Sequence, residues 1–147
     1  MFDALVFDLD GTLWDASQSC QLGWNDALRS VRSKHAVSIE DLNKVTGKPF
    51  AECVKTLCPD EYKNHADFLD IISKYESAAI RNRGGKLYDD LHETIVTLVK
   101  KYKLFLVSNC QGWYLDAFFE FSNLKYYFTD SDCNGRSKLN KRAMLLN

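Results

Sequence analysis

Two carboxylates one residue apart, Asp8 and Asp10, follow an apolar run and precede a glycine in Phe7-Asp8-Leu9-Asp10-Gly11-Thr12-Leu13. If the strand continues through them, residues i and i+2 share a face, and Gly11 lets the backbone turn sharply where a ligand approaches. Such a pair can hold a hard cation such as Mg2+, which takes few carboxylates and brings phosphate oxygens with it. It can also divide labour: one carboxylate attacks while the other, its pKa raised by the like charge beside it, moves protons. On local physics alone the stretch reads equally as a solvated strand end with an Asp-Gly turn.

Elements that would deliver these groups are visible in the apolar pattern. Residues 2–7 form a run that reads as a buried parallel strand ending at Asp8 and Asp10, and Lys103-Leu-Phe-Leu-Val107 forms a second, ending at Ser108 and Asn109. A third, shorter candidate is Tyr126-Tyr-Phe-Thr129, ending at Asp130 and Asp132. Helical spacing fills the interval between the first two: Trp24, Ala27, Leu28 and Val31, then Phe68, Ile71, Ile72, Tyr75 and Ala79. Ser38 with Asp41 three residues on predicts a capping box, and Gly47-Lys48-Pro49 a break. Leu91, Ile95, Leu98 and Val99 predict a helix before the second strand, and Tyr114, Ala117, Phe118 and Phe121 one after it. Strand, helix, strand, helix, strand is the order of a parallel α/β sheet, whose ligand crevice lies beyond the carboxyl ends of its strands. The expected organisation is a Rossmann-like α/β core from residues 1–14 and 85–147, with an all-helical insert at 15–84.

Bulk properties narrow the partners. The 147 residues suffice for one hydrophobic core, and a formal charge of −1 gives no field to attract nucleic acid or an anionic membrane surface. No run approaches the ~18 apolar residues of a membrane helix, and no signal-peptide pattern opens the chain. Five cysteines (Cys20, Cys53, Cys58, Cys110 and Cys133) form an odd set without a CxxC pair, so reduced thiols and a cytoplasmic setting are expected. The expected partner is a small metabolite, with no nucleic acid and no membrane.

The DxDGTL stretch after an N-terminal apolar strand resembles the first motif of the haloacid dehalogenase superfamily. The resemblance implies that Asp8 attacks phosphorus to give an aspartyl-phosphate, and that Asp10 protonates the leaving group and then activates water; aspartate is an established nucleophile toward phosphoryl groups. It also implies a phosphatase or phosphomutase, because the dehalogenases of that superfamily do not carry Asp at the position of Asp10. Leu106-Val107-Ser108-Asn109 resembles the second motif, whose hydroxyl donates to a phosphoryl oxygen. The run Ser108-Asn-Cys-Gln-Gly112 is similar to that of a phosphatase subgroup with a small helical cap. Asn109 and Gln111, with the amides opening the next helix, become candidate substrate contacts.

The third motif is a lysine that neutralises the phosphoryl transition state. Lys141 matches the subgroup spacing, immediately before a helix, and Lys138 is the alternative. The fourth motif, one or two acidic residues after a further strand, has no counterpart, since no Asp or Glu follows Asp132. The resemblance therefore implies a C-terminally incomplete core and a Mg2+-dependent phosphatase of a small phosphorylated metabolite, the cation held by Asp8 and Asp10. A non-catalytic or impaired binding protein, or truncated form, is the alternative, and a phosphomutase a further one. The family's sheet order implies that the first strand becomes an exposed edge, through which a homodimer could form.

Overall fold

The computed structural model describes residues 2–146, which divide between two compact units: 2–15 with 86–146, and Ala16–Gly85. In chain order the first elements are β1 (Ala4–Phe7), β2 (Trp14–Asp15) and the helices α1 (Ser17–Ser30), α2 (Ile39–Val45), α3 (Phe50–Leu57), α4 (Pro59–Asn64) and α5 (Phe68–Arg83). Then follow β3 (Lys86–Leu87), α6 (Leu91–Leu98), β4 (Lys103–Ser108), α7 (Gly112–Ser122), a 3-10 turn (Lys125–Tyr127), β5 (Asp130–Cys133), α8 (Asn134–Ser137) and α9 (Lys141–Met144).

The helical unit is organised by α1 against α5. Trp24, Ala27 and Leu28 of α1 and Phe68 and Ile72 of α5 are buried together with Val54 and Cys58, each large side chain contributing roughly 1.5–3 kcal/mol. Gly23 lets the two helices approach: a Cβ there would stand 2.5 Å from Glu76 Cα. Asn25 fixes the connection to α2 by accepting from Val37 N (2.8 Å) and donating to Val37 O (3.0 Å). The capping box forms as its spacing predicts, with Ser38 Oγ accepting from Asp41 N at 3.1 Å and the Asp41 carboxylate from Ser38 N at 3.2 Å. Pro49 immediately precedes α3, whose first turn needs no donor from it.

The α/β unit holds a parallel sheet of order β1-β4-β5, as the strand-helix-strand pattern predicts, and a two-residue antiparallel pair of β2 with β3. Its core contains Leu9, Leu13, Trp14, Ile95, Leu104, Leu106, Leu115 and Phe118, all essentially without solvent exposure. Trp14 meets Tyr114 and Phe118 edge to face, at centroid distances of 5.3 and 5.4 Å. Asp3 O accepts from Lys103 N, so by strand alternation Asp3, Leu5 and Phe7 turn their backbone groups to β4. Ala4 and Val6 turn theirs to the other side, where β1 has no sheet neighbour among the described residues, and Val6 is 48% exposed.

The third strand lies further along than the sequence suggests. Tyr126 to Thr129 is not a strand: the 3-10 turn occupies its start and Tyr126 is 97% exposed, while Phe128 packs edge to face on Phe119. The strand is Asp130–Cys133, paired to β4 with Phe105 opposite Asp130 and Ser108 opposite Cys133. Its polar residues are held by the ladder rather than by apolar burial, so hydrophobic periodicity points to the aromatic segment beside it.

Candidate active site

Three parallel strands bring their carboxyl ends to one side of the sheet. Asp8 follows β1, Ser108 closes β4 and Cys133 closes β5. Asp8 Oδ1 accepts from Leu9 N at 2.8 Å and lies 2.8 Å from Lys141 Nζ. Both contacts fall on Oδ1, leaving Oδ2 with no protein partner among the described residues. Lys141 is the first residue of α9, which Asn140 caps by accepting from Ala143 N at 2.9 Å. The cap thus fixes the backbone from which the ammonium reaches Asp8.

Asp10 sits in the turn that leads from β1 to β2. Gly11 takes a left-handed φ of 72°, open to glycine at little cost, and its N–H bonds Trp14 O at 3.1 Å. Leu13 N returns to Leu9 O at 2.9 Å, so the turn is locked on both sides of Asp10. The Tyr114 hydroxyl donates to the Asp10 carboxylate. Burial pushes the Asp10 carboxyl up from 3.8 to about 6; Asp8 and Asp15 add to the rise, while the Tyr114 bond and the Lys141 charge oppose it. Tyr114 is the residue that sequence reading missed. Its place on the apolar stripe of α7 marked it as core, and only its hydroxyl, which a buried tyrosine must satisfy, hinted at a polar partner.

Ser108 is buried at 2% exposure, and its Oγ accepts from Cys110 N at 3.2 Å. Asn109 is half-buried, its amide oxygen inside the protein, and Gln111 is the half-buried residue that opens α7. Lys138 does not join the group: it is exposed, takes a left-handed φ of 61°, and its Nζ donates to Gly135 O at 2.8 Å. Of the two lysines, the structure brings Lys141 to Asp8 because α9 begins there. Asp130 and Asp132 accept from the following backbone N–H groups, each at 2.7 Å.

Asp8, Asp10 and Lys141 make a small polar cluster of a paired carboxylate, a carboxyl pushed up by burial and an ammonium, and Ser108 closes the neighbouring strand. The model of the haloacid dehalogenase-like hydrolases matches residues 5–134, which include both Asp8 and Ser108. The chain belongs to that family. Solved structures of the same fold include three at low identity. A haloacid dehalogenase-like family hydrolase from Streptococcus pneumoniae superposes with a TM-score of 0.74 at 18% identity, over 90% of this chain and 61% of that one. A predicted phosphatase from Clostridium acetobutylicum gives 0.72 at 20%, over 92% and 64%. A β-phosphoglucomutase from Clostridium difficile gives 0.76 at 16%, over 99% and 69%. The chain thus spans about two thirds of the length of these haloacid dehalogenase-like structures. No curated protein matches its sequence.

Proposed function

We propose that this haloacid dehalogenase-like hydrolase is a phosphatase acting on the phosphomonoester of a small metabolite through an aspartyl-phosphate at Asp8. The observation that carries the reading is the pairing of Asp8 with Lys141 beside a carboxyl, Asp10, whose pKa of about 6 lets it both give and take a proton near neutrality. Asp8 Oδ2 attacks phosphorus and the bond to the leaving oxygen breaks; Asp10 gives that oxygen its proton. Asp10, now a carboxylate, then takes a proton from water as the water attacks the aspartyl-phosphate, which releases inorganic phosphate and restores both groups. Lys141 stabilises the negative charge that gathers on the phosphoryl oxygens, and the Ser108 hydroxyl donates to one of them. Tyr114 holds Asp10 in place throughout.

A hard divalent cation fits the donor set. Two carboxylates and one ammonium, joined by a phosphate dianion, are short of positive charge. Mg2+ held by Asp8 and Asp10 would offset charge on the phosphate when bound. Among the described residues no group of three or more His, Cys, Asp or Glu could hold a metal ion.

The test is hydrolysis of para-nitrophenyl phosphate by the full chain with Mg2+, with and without Asp8→Asn, together with acid quenching to trap phosphate on the protein. Turnover and trapped phosphate that both vanish in Asp8→Asn are expected. Turnover undiminished in Asp8→Asn would overturn the assignment, and a folded wild-type chain that binds phosphate without turning over any of a panel of phosphomonoesters would favour a binding protein. Return of the trapped phosphoryl group to a second sugar hydroxyl would mark a phosphomutase.

A further inference from the structure

Cys110 and Cys133 lie 23 positions apart in sequence, and the fold sets them side by side. Cys133 closes β5 opposite Ser108 in the ladder, and Cys110 lies two residues beyond Ser108. Neighbouring strands stand about 4.8 Å apart, within the separation a disulfide spans. Beyond the strand ends the two chains stay in contact: Gly135 N donates to Cys110 O at 2.9 Å, and a Cβ on Gly135 would stand 2.6 Å from both Gln111 Cα and Gly112 N. That contact is backbone on backbone and cannot relax by rotating a side chain. The two thiols are near enough for each to shift the other's titration, and Cys110 N donates to Ser108 Oγ at 3.2 Å.

We propose that Cys110 and Cys133 are a redox modification site, forming a reversible intramolecular disulfide on exposure to a peroxide. Cys110 is half-buried and Cys133 is fully buried. The thiols differ in readiness. The Cys133 thiol is drawn down to about 7 by the Cys110 S–H, with the Arg136 backbone N–H and guanidinium adding to the effect, while the Cys110 thiol is pushed up. Burial pushes Cys53 and Cys58, which lack such a neighbour, up to about 11 and about 12. The Cys133 thiolate attacks one oxygen of hydrogen peroxide and the O–O bond breaks, leaving Cys133 as a sulfenic acid while the departing hydroxide takes up a proton as water. The Cys110 sulfur then attacks the Cys133 sulfur, loses its proton, and a second water departs. Two thiols and one peroxide become one disulfide and two waters.

Closing the bond draws the sulfurs to about 2.05 Å, and the accompanying shift of Cys110 strains the bond that its N–H donates to Ser108 Oγ. The modification thereby reaches the polar cluster through Ser108.

The test is peptide mapping of the folded full chain after hydrogen peroxide at pH 7, with free thiols alkylated by N-ethylmaleimide before digestion. The expected product is a Cys110 peptide joined to a Cys133 peptide, lost on treatment with dithiothreitol, and formed at least about 10-fold faster than any change at Cys53 or Cys58. Full alkylation of both cysteines after a dose that oxidises Cys53 or Cys58 would overturn the proposal, as would a bond from either to a different cysteine. Two variants guard against misfolding as the explanation: Cys110→Ser should leave Cys133 without a crosslink, and Cys20→Ser should leave the crosslink unchanged. None of these readouts uses phosphatase activity, so the proposal stands or falls apart from that reading. If the chain proves active, the disulfide is expected to lower turnover and dithiothreitol to restore it.

Discussion

Replacing Asp10 by asparagine is expected to stabilise the protein, by an amount that grows with pH. Burial is the main reason its carboxyl is pushed from 3.8 to about 6. At about 1.4 kcal/mol for each tenfold change, that rise corresponds to roughly 3 kcal/mol, and the part of Asp10 left in solvent brings the expected effect to about 2–3 kcal/mol. Below pH 3.8 the carboxyl is protonated in both folded and unfolded chains and adds nothing to the difference. Between 3.8 and about 6 the folded chain holds the proton that the unfolded chain has released, so raising the pH favours unfolding. Above about 6 both forms are ionised and the penalty is constant. Asparagine keeps an oxygen to accept from Tyr114 and carries no charge to desolvate. Urea unfolding at pH values from 3.5 to 8 measures this, followed by Trp14 and Trp113 fluorescence with Trp24 replaced by Phe in both proteins. The stability gained by Asp10→Asn should be near zero at the acid end, rise between pH 4 and 6, and then level off. A gain that is flat with pH, or a loss at pH 7.5, would refute the account of Asp10 as a carboxylate held at a cost for its chemistry.

Lys141→Met removes the cation paired with Asp8 and should lower phosphatase turnover by about 10²–10³-fold, whereas Lys138→Met, at a side chain directed to Gly135 O, should stay within about twofold in the same assay. Tyr114→Phe removes a bond that holds the Asp10 pKa down, so carbon-13 NMR titration of the carboxyls should place it about one unit higher; a fall would contradict the geometry. Gly23→Ala would gain up to about 1 kcal/mol from helix propensity, but the new Cβ meets Glu76 Cα at 2.5 Å and Tyr75 O at 2.9 Å, backbone atoms that cannot swing aside. The clash should win, and chemical denaturation of the helical unit should show a net loss of about 1–3 kcal/mol.

Much of this arrangement was legible in the sequence. Apolar runs mark β1 and β4, although only β4 is buried as the run suggests and β1 is half-exposed, and the polar residues that end such runs fall in the crevice by topology alone. The capping box at Ser38 and the stripes of α1 and α5 were equally plain. The third strand was not, because Asp-Ser-Asp-Cys carries no hydrophobic signal and Tyr-Tyr-Phe beside it carries a misleading one. The two-residue strands β2 and β3 are too short for any periodicity. Within the site, Asp8, Asp10 and Ser108 were named by the resemblance of their stretches to the family's first two motifs, and Lys141 was preferred over Lys138 because it matches the subgroup's spacing before a helix. Tyr114 and the Cys110–Cys133 contact could not be named. Each depends on a tertiary contact between residues far apart in sequence, and each is chemically silent until the fold supplies its partner.

The β2–β3 pair and the ends of the helical unit bear on the order in which the chain assembles. β1 pairs with β4, roughly 100 residues later, so during synthesis it waits without a sheet partner until the whole helical insert has emerged. Within the insert, α1 packs on α5 and Ser19 Oγ donates to Gly84 O at 2.6 Å, which holds its two ends together. A folded insert therefore acts as a short link rather than a long one. It reduces the loop that β1 and β4 must close by nearly two doublings, worth about 1 kcal/mol in closure entropy. Pairing of Trp14 with Leu87 and Asp15 with Lys86 then takes up much of the remaining slack. Local contacts of the helices are expected to form before the distant strand pairing, so a lesion such as Gly23→Ala in the helical unit should slow formation of a sheet it does not belong to, which stopped-flow refolding would measure.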